Sequence, residues 1–206
     1  MNEKEAAIIR KIIDKGLLDK LVTLHEDILA MEQLIEPVLK GSGTIGERMP
    51  FFEANIATIN SFYPNIVRLA SEVHNALVPI YGELSMLVAE LETRRVQVSA
   101  EVKTLESQLG KFILEDIRKD LGLLKQGINI FLSTNSLYSF MNAFTHFTGG
   151  PRAKFEEGRI SSAGGLVFSQ EKGHGVMFTG ARGRHWSAII QELIDTVTNA
   201  ASLVPA

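Results

Sequence analysis

A mainly α fold is predicted by three features of this 206-residue sequence: an apolar seam at heptad spacing over 17–38, a far longer seam over 66–112, and a glycine-rich segment after Phe147 in which the helical period is lost. The expected layout is a long helical hairpin or coiled-coil stem over residues 1–148. A smaller unit over 149–206 follows, with a glycine-rich β-hairpin and a C-terminal helix.

In the first seam Leu17, Leu21, Leu24, Ile28, Met31, Ile35 and Val38 recur at alternating steps of four and three, with Glu and Lys filling much of the remainder. A helix over about 3–36 is expected to end before Pro37, and GSGTIGERMP at 41–50 reads as the first loop. The pattern resumes over 51–62. Pro64 then disfavours helical geometry at Tyr63 and can restart a helix at its own position.

From Ile66 the second seam runs through Leu69, Val73, Leu77, Ile80, Leu84, Leu87 and Leu91 to Val98, Val102, Leu105, Leu109 and Phe112. Read as one helix over 64–133, it would be a rod of about 90–100 Å. Extra four-residue steps near Val73 and Val98 are stutters, and Arg94 sits at a seam position, where the seam opens or the guanidinium reaches out to solvent. Pro79 with Gly82 predicts a kink near 75–82. A shorter helix is expected over 136–147.

Beyond Phe147 lie nine of the 17 glycines, so helix gives way to turns. The runs 165–169 and 175–179 flank the turn-like 170–174 and predict a hairpin. Its Leu166, Val167, Phe168, Val176, Met177 and Phe178 leave no polar face, and an isolated hairpin is marginal, so it needs cover. Trp186, Ile189, Ile190, Leu193, Ile194 and Val197 then predict an amphipathic closing helix.

Hydrophobic residues make up 45% and charged residues 22%, near the globular average, so the chain should fold. A net charge of −3 gives no electrostatic reason to expect nucleic acid as a partner. The absence of cysteine excludes disulfides and thiolate ligands. No signal peptide is read in MNEKEAAIIRKIIDKG, whose charges interrupt its apolar positions, and no stretch reaches the ~18 apolar residues of a membrane span. Localisation is otherwise unread; cytoplasmic synthesis with incorporation into a virion is one route.

His25, His74, His146, His174 and His185 follow no ligand spacing, so neither metal nor cofactor is expected. Glycines 173, 175, 180 and 183 flank a strand instead of joining a strand to a helix, unlike a nucleotide-binding loop. No GxSxG elbow frames Ser161 and Ser162, and no residue is assigned a catalytic role. The densest polar cluster is Arg182, Arg184, His185 and Trp186 at the start of the last helix, a candidate site for an anion or partner. The plainer reading has the arginines pair with Glu156 and Glu157 while Trp186 anchors the helix. The aromatic run Phe131, Tyr138, Phe140, Phe144 and Phe147 has no Lys or Arg beside it, which favours packing over a membrane surface.

The reading that follows is a structural or assembly protein. Leu21, Leu24, Ile28, Met31, Ile35, Leu84, Leu87, Leu91, Val102, Leu105 and Leu109 are expected to join copies of the chain into a homo-oligomer, a trimer among the options, with other proteins as further partners. A fibre-like component of a virus or phage particle fits the layout. The alternative is a helical membrane-active protein of the pore-forming or translocation type, in which the apolar hairpin meets lipid; an enzyme comes third.

Overall fold

A computed structural model describes residues 1–40, 45–134 and 185–204 and the backbone of 153–157, 167–169 and 174–178; side chains are described for 1–34, 50–133 and 185–204. Among these residues the chain is mainly helical: α1 Glu3–Asp14, α2 Leu17–Lys40, α3 Ile45–Thr93, α4 Ala100–Glu115, α5 Ile117–Thr134 and α6 Trp186–Ser202.

The expected first helix is two helices. α1 opens with a capping box, in which Glu5 N–H donates to Asn2 Oδ1 at 2.9 Å and Asn2 N–H donates to Glu5 Oε2 at 2.6 Å. It closes at Gly16, whose φ of +61° is the left-handed geometry that ends a helix, with Gly16 N–H donating to the Ile13 carbonyl at 2.9 Å. α2 starts directly after and continues through Pro37 to Lys40, past the end expected at Glu36.

The break expected at Pro64 does not form, because α3 runs unbroken for 49 residues through Pro50, Pro64 and Pro79. Tertiary burial explains this. Phe52, Ile56, Ile59, Ile66, Leu69 and Val73 hold one apolar face in phase across the proline, and all are buried. Each such side chain contributes about 1.5–3 kcal/mol, so two or three outweigh the ~3 kcal/mol cost of an interior proline.

The rod expected over 64–133 is broken twice. α3 ends in a Schellman motif: Arg95 adopts φ +57°, Val96 N–H donates to the Leu91 carbonyl at 2.8 Å and Arg95 N–H to the Glu92 carbonyl at 3.0 Å. Asp116, at φ +43°, separates α4 from α5. These breaks escape a sequence reading because a positive φ is ordinarily taken by glycine. The helix expected over 136–147 lies outside the described residues.

Two compact units result, Met1–Glu26 with Arg68–Asp116 and Ser187–Ala206, and Asp27–Val67 with Ile117–Trp186. The boundary expected at 148 lies outside the described residues. In the first unit α1 and the start of α2 run antiparallel to α3. Lys4 pairs with Glu90, Lys11 with Glu83 and Lys20 with Glu72, so residue numbers rise on one side as they fall on the other. α4 is also antiparallel to α3, with Lys103 on Glu92 at 2.7 Å and Gly110 against the Tyr81 ring. A Cβ at Gly110 would sit 3.1 Å from that ring, tighter than an ordinary contact, so the ring would have to give way slightly. The buried Glu5 carboxylate ties these parts together, its Oε1 accepting from Ser99 N–H at 3.2 Å at the start of α4.

In the second unit Phe52 and Phe131 meet edge to face with centroids 4.5 Å apart. Lys125 donates to Asn60 Oδ1 at 2.6 Å and lies over the Tyr63 ring, and Asn65 donates to Asp27. The backbone segments Ala153–Glu157, Val167–Ser169 and His174–Phe178 follow an antiparallel register, but do not establish the hairpin expected over 165–179, whose side chains and turn lie outside the described residues.

The left-handed positions make a prediction. Arg95→Gly relieves a side chain of strain and is expected to raise unfolding free energy by roughly 1 kcal/mol, whereas Gly16→Ala, with open space around it, costs about the same through backbone strain alone. Urea unfolding of the two variants measures this; shifts of the same sign would refute it.

Candidate functional site

The residues expected to join copies of the chain are buried within one chain. Leu21, Leu24, Ile28, Met31, Leu84, Leu87, Leu91, Val102, Leu105 and Leu109 are all inaccessible or nearly so; the side chain of Ile35 lies outside the described residues. Among the described residues these seam side chains are thus already covered within one chain.

Of the second predicted cluster, Arg182 and Arg184 lie outside the described residues, while His185 and Trp186 begin α6. Trp186 is buried, and its indole N–H donates to Asp120 Oδ2 of α5 at 2.9 Å. His185 Nδ1 stands 3.9 Å from the buried Glu32 carboxylate of α2. The anions these side chains meet are thus the chain's own. Neither acid was foreseen, because nothing in sequence links 32 or 120 to 185. In the first unit His74 Nδ1 similarly lies 3.8 Å from Asp116. Among the described residues no group of three or more His, Asp or Glu could hold a metal ion.

A different surface emerges on α3. Opposite its buried seam, the positions Ser71, Asn75, Val78, Gly82, Met86, Ala89 and Thr93 follow helical spacing and carry no charge. Met86 is 75% exposed and Val78 42% exposed. Among the described residues a Cβ at Gly82 would meet nothing within 4 Å. An interior helical glycine costs roughly 0.5–1 kcal/mol relative to alanine. Thr93 turns its hydroxyl inward, donating to the Ala89 carbonyl at 2.8 Å.

Ion pairs line both edges of this face. On one side Glu72, Glu83 and Glu90 meet Lys20, Lys11 and Lys4; on the other Glu92 meets Lys103. Hydrogen bonds from Lys20 and Arg68 hold the Glu72 carboxyl below the usual carboxylate range. Exposed pairs of this kind contribute little stability, about 0–1 kcal/mol each, but they fix which face of α3 stays open. The signal was legible as a run of uncharged residues at 71, 75, 78, 82, 86, 89 and 93, overshadowed by the stronger seam one face away.

The α6 anchor is testable. Trp186→Phe keeps an aromatic ring but removes the indole bond to Asp120 and should cost about 1–3 kcal/mol, whereas Asp120→Asn still offers the indole an acceptor and should cost less. Thermal denaturation of both variants decides; a larger loss in Asp120→Asn would show that charge, not the bond, matters. Comparison with protein-family models, with curated proteins and with solved structures finds no match for this chain.

Proposed function

We propose that this chain is a structural or assembly protein that acts by associating with copies of itself through helix faces. The observation that supports this is the charge-free outer face of α3. Among the described residues the seam is already buried within one chain, while an uncharged face bearing an exposed Met86 lies opposite it. A virus or phage particle is one setting for such a protein, although the stem that suggested a fibre is folded back at 94–99.

The same reading gives the glycine-rich segment a β-hairpin over 165–179. With both strand faces apolar in sequence, it would be covered by the closing helix, by the aromatic run or by a partner. Contact with lipid is the second reading of that hairpin, favoured by the same two-sided apolarity. Among the described residues no helix is long and apolar enough to cross a membrane.

Light scattering of the full chain at micromolar concentration tests the proposal. The expected result is a mass that is a multiple of one chain. A single-chain mass throughout contradicts it, and dye release from lipid vesicles by such a monomer would favour the membrane reading instead.

A further inference from the structure

We draw no further inference here: the strongest candidate, the uncharged outer face of α3 that carries Val78, Gly82 and Met86, belongs to the site already described, and nothing in the structure shows what covers it.

Discussion

The phase of α3 is the constraint on which the rest of the structure depends. From Phe52 to Leu91 its apolar positions never slip to another face, even across Pro64 and Pro79. Propensity alone would end the helix at either proline, but a helix end at Pro64 would turn Ile59 and Ile66 away from each other and expose one of them. Hydrophobic burial, spread over many residues, outweighs the local cost of a missing backbone hydrogen bond. Once α3 is continuous, its neighbours are aligned along it, α1 and α4 each running antiparallel to its C-terminal half.

Much of this was legible in the sequence, although its meaning was not. The positions of the seam were readable to the residue, because a period of three and four marks a buried helix face whatever covers it. The same period serves helices within one chain and between chains, so spacing could not say which. What decides between them is where the chain reverses. At 94–99 the left-handed turn is made by Arg95, a residue that carries no turn signature; the only hint was a charged Arg94 at a seam position. At Gly16 the signature was present, and an apolar pattern that continues into α2 concealed it.

Polar groups show the same division. Asn2 and Glu5 form a recognisable capping box, yet nothing in the sequence shows that the same carboxylate also receives Ser99 N–H, ninety-four residues away. Trp186 as an anchor could be read from its place at the start of a helix; Asp120, which receives its indole N–H, could not. Contacts between distant segments follow from the fold, and a single sequence contains only the faces from which the fold is built.

On the proposed function α3 has two faces, one that holds a chain together and one that joins chains. Adjacent residues separate them: Leu87 is buried in the seam, and Met86 is exposed on the opposite side. The most direct measurement takes Leu87→Asp and Met86→Asp and records thermal melting and mass in solution for each. Leu87→Asp is expected to collapse the melting transition, because a carboxylate is forced into an apolar core. Met86→Asp should melt with the unmodified chain when compared as monomers and give a single-chain mass. The reverse pattern, with Leu87→Asp folded but dissociated and Met86→Asp unfolded or fully assembled, would contradict the account.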